Sequence, residues 1–143
     1  MLTFHATLHA RSSEVSTGIT LELNGRSVAT LVVPVAALAQ PFSLTFEQAV
    51  EALEHLDRMF VEPDGSFVWV SSKQADDARW QIDGNLFDRN GRLLMVDLKG
   101  SCSEAEFDRL LSAFGWPETP VIFELIREAV FLDEAEFRRY SIQ

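Results

Sequence analysis

The stretch WQIDGNLFDRNGRLLMVDL, residues 80–98, decides how this chain folds. Its two arms, Trp80 to Phe87 and Leu93 to Leu98, are rich in Ile, Leu, Val, Phe and Met and flank Asn90-Gly91. Asn and Gly accept the positive φ that a tight hairpin turn demands at both central positions, so the arms are expected to pair antiparallel. The same signature recurs at Asn24-Gly25, between the alternating Ile19, Leu21 and Leu23 and a returning strand, Ser27 to Val33. Ahead of it, Leu2, Phe4, Ala6, Leu8 and Ala10 alternate with Thr3, His5, Thr7 and His9, which predicts a strand with one core face and one wet face. Residues 1–41 therefore read as a β-meander. Pro63-Asp64-Gly65 adds a turn ahead of a strand over Phe67 to Val70, whose Trp69 is expected to be buried, and Ser71 to Asp77 reads as a polar loop. The uncharged, Ala-rich Pro34 to Pro41 is expected to be a packed connection between subregions.

Helices are predicted at three places. Thr45 is placed to cap a first turn while Gln48 reaches back, and Phe46, Ala49, Val50, Leu53, Leu56 and Phe60 follow at helical spacing. The outer face of that helix carries Glu47, Glu51, Glu54 and Asp57, with Glu54 and Arg58 spaced as an i, i+4 ion pair. Ser103 with Glu106 reads as a capping box that opens a second helix, which buries Phe107, Leu110, Leu111 and Phe114 and stops at Gly115 and Pro117. Thr119-Pro120 also resembles a helix start. Asp133 with Glu136 looks like a fresh capping box, however, and two helices would then abut, so Val121 to Leu132 is read as a β-ribbon followed by a short helix bearing Phe137. The fold class is α+β: a mainly antiparallel sheet packed by two amphipathic helices and a short C-terminal one. Residues 1–143 are expected to form one domain, with 1–41 and 42–143 as subregions.

Charge narrows the choice of partner. Twenty-two acidic against 12 basic residues give a net charge of -10, concentrated in residues 45–70, with six acids against Arg58, and residues 101–136, with nine against Arg109 and Arg127. A field of that sign repels phosphate backbones, so direct binding to nucleic acid or to an anionic membrane is not expected, and a basic protein partner is. The longest apolar run, Leu31 to Ala39, is broken by Pro34 and falls well short of the ~20 residues of a membrane span. The lone Cys102 has no disulfide partner and no signal-peptide pattern precedes Arg11, so a cytoplasmic home is expected.

Chemistry-bearing residues are few. On a strand His5 and His9 lie about 13 Å apart on one face, too far to share an ion, and are read as solvent-facing. His55, opposite its helix's apolar stripe, is also expected to be exposed. Cys102 precedes a helix N-terminus, where the macrodipole can lower a thiol pKa, with Lys99 nearby in sequence; equally, it stands where a small apolar residue staples against Phe107. Asp64, Asp83, Asp88 and Asp97 sit at turns and strand ends, where acid/base pairs are often assembled but where Asp is also a turn former. The segment around Gly91 is not a calcium loop, since Leu86 would take the first ligand position, and no phosphate loop, nucleophile elbow or His-Glu-x-x-His motif is present. No cofactor or metal is therefore expected. Trp116, just past a helix end, is a candidate interface anchor.

Two functional classes follow. The first is a non-catalytic adaptor or inhibitor whose acidic surface, through Glu47, Glu51, Glu54 and Trp116, meets a basic partner. The second is a small enzyme or metal-dependent protein built from Asp83, Asp88 or Asp97 with His5, His9 or Cys102. A homodimer through a sheet edge or the Trp116 region fits either class.

Overall fold

Asn90 and Gly91 take φ angles of 54° and 84°, and the hairpin they close joins β6 (Gln81–Arg89) to β7 (Arg92–Cys102), the longest strand of the sheet. The structure is a computed structural model that describes residues 1–72 and 79–142. Residues 73–77 of the expected polar loop lie outside the described ones. The other strands are β1 (Leu2–Ala10), β2 (Ser16–Leu23), β3 (Arg26–Val32), β4 (Met59–Val61), β5 (Ser66–Val70), β8 (Val121–Leu125) and β9 (Val130–Asp133). Among the described residues these form one nine-stranded antiparallel sheet in the order β2-β3-β9-β8-β1-β7-β6-β5-β4. Three helices join them: α1 (Phe46–Glu54), α2 (Glu104–Ser112) and α3 (Glu134–Ser141).

The N-terminal β-meander does not form as expected. The β2–β3 hairpin is present, with Asn24 and Gly25 at positive φ, but β1 pairs with β7 on one side and β8 on the other and lies at the centre of the sheet. The physical reason is the apolar stripe of β1. Leu2, Ala6 and Leu8 are fully buried, which requires neighbours on both flanks, whereas the Ser- and Thr-rich β2 tolerates the edge. A bulge between Thr17 and Thr20 then turns Ile19 out to 69% exposure.

Further boundaries moved. α1 ends at Glu54 and Arg58 adopts φ 60°, reversing the chain so that Met59–Val61 runs beside β5. Phe60 is therefore an exposed strand residue. The Glu54–Arg58 pair is not formed, and Arg58 Nε instead donates to the Val70 carbonyl at 3.1 Å. β7 continues past Leu98 to Cys102 because β1 pairs with it as far as Leu2. Gly100 permits this, at φ 149°, where a Cβ would run into the Gln81 carbonyl. Val35–Ala39 is a short 3-10 turn in which only Ala37 is buried, so the connection is less packed than expected.

All three helices cover the same sheet face. On it, Phe107 of α2 and Phe137 of α3 converge on Phe4 and Phe123, with Phe123 and Phe137 stacked at 3.9 Å between centroids. Trp69 is buried there as expected, its Nε1 donating to the Asp57 carbonyl at 2.9 Å. The ribbon β8–β9 and the terminal helix stand where the sequence placed them, Asp133 Oδ1 accepting from the Glu136 amide at 2.8 Å.

Candidate functional site

Because strand residues alternate between faces, helices on one face leave the opposite set open. Across the strand registers this open face runs Phe131, Glu124, Thr7, Asp97 and Asn85, with His9 between Ile122 and Met95 in the next row. Thr7 Oγ1 donates to Asp97 Oδ1 at 2.8 Å, and His9 Nε2 lies 3.2 Å from Glu124 Oε1.

His9 is 4% exposed, which overturns the expected solvent-facing position. Side chains of the flanking strands surround it on that face: Ile122 and Met95 beside it in the register, and the Phe131 ring with its centre 6.0 Å away. Burial pushes the imidazole pKa below its ordinary value of 6.5, against the opposing pull of the Glu124 carboxylate and of Asp97. A neutral imidazole carries one proton, and the Glu124 acceptor assigns it to Nε2. Nδ1 is then a bare acceptor, and it is buried without a partner among the described residues. Of the candidate aspartates, only Asp97 is brought to a histidine. Glu124 was not singled out from sequence, although a lone charge inside the apolar Val121–Leu125 strand was the signal for it.

The remaining candidates disperse. Cys102 ends β7 on the helix-covered face opposite Leu2, fully buried, and desolvation with a smaller contribution from Glu106 pushes its thiol up to about 12. It shares the apolar core with Phe107 directly ahead of Ser103, whose hydroxyl accepts from the Glu106 amide at 3.2 Å, and its raised pKa is the opposite of the lowered one that activates a thiol. Asp83 is exposed, bonded to Gln81 Nε2 at 2.9 Å; Asp88 Oδ2 accepts from the Gly91 amide at 3.2 Å and so holds its turn. Trp116 is half-buried, with the Arg138 guanidinium 5.2 Å from its ring centre. Among the described residues, no three His, Cys, Asp or Glu side chains are arranged to hold a metal ion. Nor, among them, is any helix long and apolar enough to cross a membrane.

Two surface features of opposite charge frame the molecule. At one end, Glu47, Glu51 and Glu54 are exposed on α1, with His55 exposed beside them, and a groove of about 470 Å³ adjoins the start of the helix, lined by Glu47, Asp64 and Asp88. At the other end, a cavity of about 400 Å³ lies against the free edge of β1, lined by His5, Lys99, Arg26, Arg127, Glu128 and Tyr140. It exists because β8 stops at Leu125 while β1 runs on to Leu2, whose next partner on that side is Ile142.

Comparison of the chain with protein families, with characterised proteins and with solved structures returned no match.

Proposed function

We propose that the protein is a non-catalytic interaction module whose acidic α1 face and adjoining groove receive a basic segment of a protein partner. One contrast supports this reading. The acids of α2 and α3 are occupied within the molecule: Glu104, Asp108 and Glu134 surround Arg138, Glu136 holds Arg139, and Glu106 pairs with Arg109. Among the described residues, Glu47, Glu51 and Glu54 have no such cation, although they are exposed and lie on one helix. An uncompensated acidic face steers and orients a cationic partner, raising its association rate.

The finer parts of the proposal follow from the same surface. The net charge of -10 disfavours nucleic acid as the partner. A single unpaired cysteine suits the reducing cytoplasm. The edge strands β2 and β4, with Ile19 and Phe60 exposed on them, leave a homodimer open as the assembled form.

A Lys-rich helical peptide is the direct probe. We expect it to bind the wild-type chain at low ionic strength, to weaken steeply as salt rises, and to be lost in the triple variant Glu47→Gln, Glu51→Gln, Glu54→Gln. No binding at low salt, or equal binding by the triple variant, would rule the reading out.

A further inference from the structure

The cavity at the free edge of β1 has the opposite character to the rest of the surface. Three cationic side chains, Arg26, Lys99 and Arg127, line it against the single carboxylate of Glu128, a local excess of two positive charges in a chain of net charge -10. The Glu128 carboxylate is already engaged, since Oε2 accepts from the Tyr140 hydroxyl at 2.8 Å, and Tyr140 in turn accepts from Asn24 Nδ2 at 2.7 Å. Arg26 is held in place by the carbonyls of Tyr140 and Ile142, at 2.7 and 3.0 Å. Lys99 and Arg127 differ: both are exposed and, among the described residues, neither has an acidic partner within ion-pair distance. Asp83 faces Lys99 in the strand register, but its carboxylate is bonded to Gln81. The lining also includes the apolar Phe4 and Leu125, which stand on the helix-covered side of the strands, across the edge of β1 from Lys99, and keep only 7% and 3% of their surface exposed.

We propose that this cavity binds a small amphiphilic anion, a carboxylate or phosphate monoester on an apolar group. Lys99 and Arg127 pair with the anionic head, and the apolar part turns over the edge of β1 towards the exposed rims of Phe4 and Leu125. The volume falls within the range of small-molecule sites, which combine an apolar lining with a few polar groups that fix orientation. Arg127, with its planar fork, suits two oxygens of one head group, while Lys99 supplies a point charge. The site is separate from the acidic α1 face and stands or falls independently of it.

Calorimetric titration of the full chain with phenylphosphate, benzoate and inorganic phosphate tests the assignment, with amide chemical shifts locating the ligand. The expected result is saturable one-to-one binding of phenylphosphate or benzoate, the tighter of the two identifying the head group, and weaker binding of inorganic phosphate. Lys99→Gln and Arg127→Gln should each weaken it about tenfold, as loss of a charge-assisted contact does, whereas Lys99→Arg should retain it. Absence of saturation with both organic anions would overturn the proposal, as would unchanged affinity in both Gln variants or shifts confined to other surfaces. Shifts at the cavity that depend on protein concentration and vanish with phosphate would assign it to an acidic patch of a second copy, and would equally overturn it.

Discussion

At the scale of the residue, His9 carries the clearest consequence. Its native pKa is lowered by burial, so folding favours the neutral imidazole, and the unfolded chain takes up a proton more readily. Above the ordinary value of 6.5 both states are neutral and the group contributes no pH dependence. As pH falls below it, protonation of the unfolded state draws the equilibrium away from the fold. The wild-type urea midpoint should therefore fall more steeply between pH 7.5 and pH 5 than that of His9→Gln, whose amide keeps a donor for Glu124 without a titrating ring. Equal slopes in the two proteins would show that His9 does not titrate on unfolding. The alternation of residues 2–10 placed this ring on the uncovered face; its burial depended on which strands flank β1, and the residues of β7 and β8 that do so are more than 80 positions away.

At the scale of the element, the two principal helices begin with different caps. Thr45 Oγ1 accepts from the Gln48 amide at 3.1 Å and Gln48 Oε1 accepts from the Thr45 amide at 2.9 Å, a reciprocal pair. Its helix start is also pinned to the β6–β7 hairpin, where the Phe46 amide donates to the Gly91 carbonyl at 2.9 Å. The capping boxes expected at Ser103 and Asp133 are only half formed, because Glu106 turns its carboxylate to Arg109 at 3.3 Å and Glu136 turns its own to Arg139 and the Ala29 amide. Replacing Thr45 or Ser103 with Ala should cost about 1 kcal/mol, with Thr45→Ala the larger loss. Urea unfolding at constant m-value measures both, and a cost for Ser103→Ala exceeding that for Thr45→Ala would contradict this account. Caps and turns were legible from sequence because each is settled within four residues. The end of α1 was not. The apolar spacing ran on to Phe60, whereas Arg58 reverses the chain under the demand that β4 pair with β5.

At the scale of the whole molecule, α3 fastens the sheet's polar edge. β3 meets β9 at the single register pair Leu31–Phe131, and the hairpin is otherwise secured by α3: Glu136 Oε2 accepts from the Ala29 amide at 2.6 Å, and Arg26 reaches the carbonyls at the helix end. Arg138 links α3 to α2. Its Nε donates to Glu134 at 2.9 Å and its guanidinium lies over the Phe107 ring. Its Nη2 sits 2.7 Å from Asp108 Oδ1, an ion pair without hydrogen-bond alignment. Arg138→Met keeps the apolar stem but leaves three carboxylates facing one another, so it should cost about 2 kcal/mol, between the values for exposed and buried pairs. Part of that loss should be recovered at 1 M salt, where the Debye length is about 3 Å. A loss that salt does not reduce would place the contribution in packing and not in charge.

By itself the sequence determined what short-range physics settles: the Asn-Gly hairpins, the helix caps, the β8–β9 ribbon and the absence of a recognisable catalytic motif. It also located the two acidic blocks, although not that Arg138, Arg139 and Arg109 occupy most of the second while, among the described residues, no cation pairs with the glutamates of α1. Tertiary structure alone decided that β1 is central, that Cys102 is a buried core thiol on the face away from the histidines, and that His9 meets Glu124. Those outcomes depend on pairing between strands distant in the chain, where burial of a continuous apolar stripe on both flanks outweighs the local preference of neighbours to form a meander. The cavity at the edge of β1 has the same origin, since it lies where β8 ends before β1 does.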